Sequence, residues 1–155
     1  MIFTAREDIE APIDVAFDML CDFESFERSA VRRGAEVQRA DDLSVPGIGM
    51  IWNAVFQLRG KRRDVRIEMV TFDRPNEIVL ETTSPGLLGQ MAFELTALSR
   101  SRTRIAVKLE IKPLNLSARL LMQSLKLGKA RLTRKFKERV SEYATGMEER
   151  YTSMA

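Results

Sequence analysis

Thr103-Arg104-Ile105-Ala106-Val107-Lys108-Leu109-Glu110-Ile111-Lys112-Pro113 is the stretch on which the fold of this chain turns. Ile105, Val107, Leu109 and Ile111 share one parity, and Arg104, Lys108, Glu110 and Lys112 hold the other. Strict alternation is the pattern of a strand with one apolar and one wet face. Pro113 has no amide hydrogen to give to a ladder and ends it. Beyond it the period changes. Leu121, Leu125, Leu132, Phe136, Val140, Tyr143, Met147 and Tyr151 recur at steps of three, four or seven, a helical stripe. The spacing predicts one helix from about Asn115 to Arg150, capped by Asn115 or Ser117. Such a helix would run roughly 50 Å and must lie across a sheet.

Upstream, period two repeats four more times between turn signals. Met50, Trp52, Ala54, Phe56 and Leu58 share a parity, then Gly60-Lys61 turns the chain. Val65, Ile67 and Met69 follow, with Thr71 at the same parity, before Arg74-Pro75-Asn76. Ile78, Leu80 and Thr82 precede Ser84-Pro85-Gly86, and Met91, Phe93 and Leu95 precede the polar turn at Ser99 to Arg102. Five strands joined by short turns make an antiparallel meander.

The first fifty residues read differently. Residues 2–10 suit a first strand, and Pro12 suits a helix start. Ile13, Ala16, Phe17, Leu20 and Cys21 form one apolar helix face, with Asp14, Asp18 and Asp22 opposite. A second short helix is expected around Phe23 to Ser29, with Phe23 and Phe26 turned inward. Residues 30–47 are polar and read as irregular. The expectation is therefore an α+β chain, β-α-α-β-β-β-β-β-α, forming a single domain over residues 1–155.

Composition excludes much familiar chemistry. Histidine is absent, which removes the usual general base near neutral pH and the commonest metal ligand. A single cysteine, Cys21, excludes an internal disulfide and any multi-cysteine metal site. No cofactor is expected. Lys and Arg number 25 against 22 Asp and Glu, a net charge of +3. The charge is segregated: residues 1–30 hold eight acids and two bases, and residues 126–139 hold seven bases and one acid. Opposite charge at the two ends allows them to attract each other in space. Met1 to Glu10 carries no basic, apolar leader and no apolar run approaches the ~20 residues of a span, so a cytoplasmic protein is expected.

The order of elements, with Asp8-Ile9-Glu10-Ala11-Pro12-Ile13, Pro46-Gly47-Ile48-Gly49-Met50, Val70-Thr71-Phe72-Asp73-Arg74-Pro75 and Thr103-Arg104-Ile105, resembles the START-like, or SRPBCC, superfamily. The resemblance covers about residues 5–150. It implies a helix-grip fold, a curved antiparallel sheet wrapped around a long C-terminal helix, with a cavity between them. The group it most resembles holds polyketide cyclase/dehydrase and lipid-transport proteins. Binding or transport of a hydrophobic small molecule or lipid is the implied function. The alternative is a cyclase, aromatase or dehydratase acting on a hydrophobic substrate.

On that resemblance the inward parity supplies the candidate ligand-binding residues: Trp52, Phe56, Ile67, Met69, Leu80, Thr82, Met91, Phe93, Val107 and Leu109, with Leu125 and Tyr143 from the helix. Each also reads as ordinary core. Thr71, Thr82 and Ser84 are the few hydroxyls at the inward parity of the strands. No residues read as catalytic, because nothing titratable clusters there. Cys21 lacks a base to make it a nucleophile and reads as a buried thiol. Asp14, Asp18 and Asp22 read as a solvated face, and Asp41-Asp42 as a loop pair without partners for a metal. Gly128 interrupts the long helix, either as a kink or as a tolerated irregularity. The basic run 126–139 and a hairpin tip of Arg59, Lys61, Arg62 and Arg63 read as solvated surface. Among sharper readings, contact with an anionic membrane ranks above nucleic acid, because it agrees with an apolar ligand.

Overall fold

Each expected strand pairs with its neighbour in register, and a computed structural model describes residues 1–154. The elements are β1 (Ile2–Ile9), α1 (Ile13–Leu20), α2 (Phe23–Arg32), β2 (Glu36–Arg39), β3 (Ile51–Leu58), β4 (Lys61–Asp73), β5 (Glu77–Ser84), β6 (Leu87–Ser99), β7 (Arg102–Pro113), α3 (Leu116–Lys126) and α4 (Lys129–Met154). The seven strands form one antiparallel sheet in the order β1-β7-β6-β5-β4-β3-β2. The chain thus brings its first strand beside its last, and α4 lies on the inner face chiefly over β1. Phe136 of α4 meets Phe3 of β1 with ring centroids 5.8 Å apart.

Four departures from the sequence reading have physical causes. The segment 30–47 contains an edge strand, β2, where Val37 is the one apolar residue and alternation is invisible. Side-chain contacts support it. Arg39 lies over the Trp52 ring at 5.6 Å and makes two short hydrogen bonds, 2.8 and 2.6 Å, to Asp41. Asp41 in turn accepts the backbone N–H groups of Leu43 and Ile51 at 2.9 and 2.8 Å. It is therefore a structural clamp rather than a free loop carboxylate.

The second departure lies in β4. A bulge between Met69 and Thr71 inserts Val70, so parity flips, and Phe72 rather than Thr71 faces inward opposite Ile78. Phe72 then packs edge-on against Phe17 of α1 at 5.5 Å. Thr71 is removed from the inner-face hydroxyls.

Third, the long helix is two. α3 is capped by the Asn115 side chain, which accepts the Ala118 N–H at 2.9 Å. It ends at Lys126, and α4 begins at Lys129 after Leu127-Gly128. Its stripe nonetheless faces inward throughout: Val140 and Met147 are buried, and Leu121, Leu125, Leu132, Phe136, Tyr143 and Tyr151 half-buried.

Fourth, α4 lies over β1, but among the described residues the acids of residues 1–30 form no ion pair with the basic run 126–139. Asp8 pairs with Arg104 and Arg102, Asp18 with Arg74, and Asp22 with Arg150. Asp22 also caps α2, so Asp18 and Asp22 are paired with arginines while Asp14 stays exposed to solvent. Hydrogen bonding to Arg104 holds the Asp8 carboxyl below its ordinary value.

Gly128 is not demanded by sterics. A Cβ there would meet the Leu125 carbonyl at 3.9 Å, ordinary contact, and its φ lies outside the left-handed region. Gly128→Ala is therefore expected to raise stability by about 0.5–1 kcal/mol, by restricting the unfolded chain and favouring helix. A shift of the urea midpoint to higher concentration checks this; a lower midpoint would show that the break itself is required.

Candidate functional site

Register assigns side chains to the inner face row by row, and burial changes along those rows. Next to α1, Ile9 stands opposite Thr103, and both are fully buried. Thr103 donates its hydroxyl to the Ala11 carbonyl at 2.8 Å, which satisfies it. Leu95 and Ile105 make the next row, also buried. Then come Phe72, Ile78, Phe93 and Val107, of which the last three are 1%, 8% and 3% exposed. Phe17 and Leu20 of α1, with Val140, Ala144 and Met147 of α4, belong to the same buried cluster. This end is sealed.

Toward the other end the cover thins. Met69, Leu80, Met91 and Leu109 form one row, and only Met69 is fully buried. Trp52, Ile67, Thr82, Gly89 and Ile111 form the next; Ile67, Thr82 and Ile111 are half-buried. Gly89 contributes no side chain, and the Thr82 hydroxyl occupies the place where its Cβ would stand. Beyond lie Ala54, Val65 and Ser84, then Phe56 facing Arg63, all half-buried. α3 packs against β7 with Ala118 and Met122 buried and Leu121 and Leu125 half-buried. A band of half-buried apolar side chains thus adjoins the sealed core.

Ten of the twelve sequence candidates lie on this one face. Trp52, Ile67 and Thr82 fall in one row; Met69, Leu80, Met91 and Leu109 in another; Phe93 and Val107 in the sealed row; Phe56 at the far end. Phe93 and Val107 are core positions by burial. Leu125 reaches the region from α3. Tyr143 does not join the strand rows: it packs on Phe26 of α2 at 5.3 Å. Its hydroxyl is sealed from solvent without a hydrogen-bond partner, and burial pushes its pKa above the ordinary tyrosine value.

Two charged groups on the inner face escaped the sequence reading. Glu7 shares the inward parity of β1 opposite Ile105. Arg63, grouped by sequence with a solvated hairpin tip, is half-buried, and its Nε is sealed without a partner. Only strand parity could have signalled either. At the tip itself Arg59 and Gly60 both have positive φ, 54° and 73°, a two-residue hairpin turn.

A recess of about 270 Å³ lies elsewhere, between the start of α2 and the segment 43–50. Cys21, Phe23, Glu27, Arg39, Pro46 and Met50 are among its walls, and none of the twelve candidates is. Glu27 accepts the Trp52 Nε1–H at 2.8 Å, and Phe23 packs on the Trp52 ring at 5.5 Å. The recess is therefore backed by the indole without exposing it. Burial pushes the Cys21 thiol above its ordinary value, consistent with an unreactive side chain.

An open seven-stranded antiparallel sheet with its first strand at one edge, two short helices after that strand and a C-terminal helix on the inner face is a helix-grip fold, the architecture that the sequence resemblance implies. No family profile and no curated protein sequence matches the chain. Solved structures do. A Thermus thermophilus protein is 16% identical with a TM-score of 0.65, over 100% of this chain and 99% of its own. A Streptomyces aromatase/cyclase is 12% identical with a TM-score of 0.66, over 98% and 95%. Norcoclaurine synthase from Thalictrum flavum is 10% identical with a TM-score of 0.66, over 98% and 86%. Identities this low carry the fold and no activity.

The Arg39 guanidinium, with the Ile51 and Leu43 N–H groups, holds the Asp41 carboxyl far below the usual carboxylate range. A lowered folded pKa contributes stability above the ordinary value near ~4 and loses it as pH falls through the folded one. Asp41→Asn is expected to be less stable than wild type at pH 7, with the gap closing as pH drops below about 4. Thermal unfolding of both proteins across pH 2–7 checks this, and a constant gap would contradict the clamp.

Proposed function

We propose that this protein binds a hydrophobic small molecule or lipid along the inner face of its sheet, in a trough between β3–β7 and α3. The observation that carries this reading is the burial gradient. Ile67, Leu80, Met91 and Leu109 are apolar, inward and only half-buried, one or two rows away from a core that is sealed. Leaving such side chains partly wet costs about 25 cal/mol for each Å² of apolar surface, and a ligand laid across them recovers it. Methionines adapt their shape to the occupant, and Met69 and Met91 sit in the half-covered row. The Thr82 hydroxyl beside Gly89 is the polar group placed to orient a ligand carbonyl or hydroxyl. The likeness to an aromatase/cyclase and to norcoclaurine synthase, both enzymes of organic substrates, supports a small-molecule site.

A neutral, environment-sensitive dye such as Nile red tests it. The folded protein is expected to bind the dye, and binding is expected to change the emission of Trp52, which shares a row with Ile67 and Thr82. Thr82→Phe fills that row and is expected to abolish binding while the protein stays folded. Trp52→Ala is a poorer test, because truncating a buried aromatic costs about 3–5 kcal/mol by itself. Failure of a folded wild type to bind the dye would mean that the inner face is solid.

A further inference from the structure

We infer that α3 and the first half of α4 form a docking surface for an anionic lipid bilayer. Residues 114–137 contain seven bases and no acid. All seven, Arg119, Lys126, Lys129, Arg131, Arg134, Lys135 and Lys137, are exposed. Among the described residues none of them forms an ion pair, although nine other Lys and Arg side chains do. Of the eight acids in residues 1–30, Asp8, Glu10, Asp18, Asp22 and Glu24 are already paired with other arginines.

Charge alone would leave an ordinary solvated face. Exposed leucines make it a different one. Leu116, Leu120 and Leu127 are 72%, 57% and 92% exposed, and Leu114 is 64%. At about 100° per residue the first three project within roughly 40° of one another. Leu127 keeps helical angles, φ −61° and ψ −30°, so the projection holds through the end of α3. Arg119 and Lys126 fall about 60–80° to one side of this stripe. The core does not need these leucines, because Ala118, Met122, Leu121 and Leu125 supply the opposite, inward face.

Apolar side chains flanked by cations, on a helix parallel to a surface, match the acyl boundary and headgroups of an anionic leaflet. No helix of the described residues is long and apolar enough to cross a membrane, so contact is with its surface. A second copy of the chain fits worse. A two-fold interface sets the same patch against itself, and seven unpaired cations would then face seven more. A nucleic acid would engage the cations and leave the leucines in water.

Vesicle sedimentation tests this independently of any ligand in the trough, because the vesicles carry no dye and each experiment can fail while the other succeeds. The protein is expected to bind phosphatidylcholine vesicles containing 30% phosphatidylserine at low salt and to bind pure phosphatidylcholine at least about tenfold more weakly. Binding is expected to fall by about tenfold or more between ~50 and ~300 mM salt. Leu116→Ser with Leu120→Ser is expected to weaken it by about tenfold or more at fixed salt, as lost burial of apolar side chains requires. Lys126→Glu with Lys129→Glu and Arg131→Glu is expected to abolish it. Unchanged circular dichroism and thermal midpoint certify that each variant is folded, since every changed residue is exposed. Absence of vesicle binding overturns the proposal, as does full binding by the leucine variant. Equal or tighter binding to a DNA duplex overturns it too, as does a dimer in solution that the leucine variant dissociates.

Discussion

Phe93 and Val107 face each other across β6 and β7, with Ile78 and Phe72 continuing the row across β5 and β4. This cross-strand band is the contact on which the other layers rest. Phe17 of α1 reaches it through Phe72, and Val140, Ala144 and Met147 bring α4 into the same cluster. Cavity-creating truncations in such a band cost about 2–5 kcal/mol, a large part of the stability of a chain this size. Concentrating the burial at one end lets the other end of the same sheet stay half-covered without unfolding the whole. The bulge at Val70 serves that arrangement, because without it Thr71 would stand where Phe72 meets Phe17.

The trough and the docking surface belong to one stretch of chain. Leu121 and Leu125 of α3 turn toward the sheet, and Leu116, Leu120 and Leu127 turn to solvent. A helix apolar on both sides is costly in water. The cost is explained if both sides meet something apolar in use: a ligand on the inside and a bilayer on the outside. α3 is joined to α4 by Leu127-Gly128 and is anchored mainly on β7.

Most of the fold was legible because its long strands alternate and its last helices keep one stripe. β3 to β7 and α1 fall where period and turn chemistry place them. What escaped notice lacked a periodic signal. β2 has one apolar residue, and its support, Arg39 on Trp52 and on Asp41, is a tertiary arrangement. A bulge is a one-residue insertion that strict parity cannot show, so Thr71 was misplaced. Arg63 looked like its neighbours Arg62 and Lys61 because a hairpin tip in sequence extends past the turn in space; the strand resumes at Lys61 and turns Arg63 inward. Charge segregation between the two ends suggested attraction, yet arginines at 74, 102, 104 and 150 lie nearer the acids. For the candidate site, parity collected the right face. It could not separate sealed Phe93 from half-covered Leu80, because burial depends on where the helices lie.

The methionines offer the most direct measurement of the central claim that the half-covered end of the inner face receives apolar molecules. Met69 and Met91 lie in the half-covered row and Met122 on the buried side of α3, while Met50 walls the separate recess and Met154 is exposed. With methyl-labelled methionine, titration of the protein with Nile red followed by NMR is predicted to shift Met91 and Met69 most, with Met122 following and Met154 unmoved. Shifts confined to Met50, or no shifts in a protein that remains folded, would contradict the account.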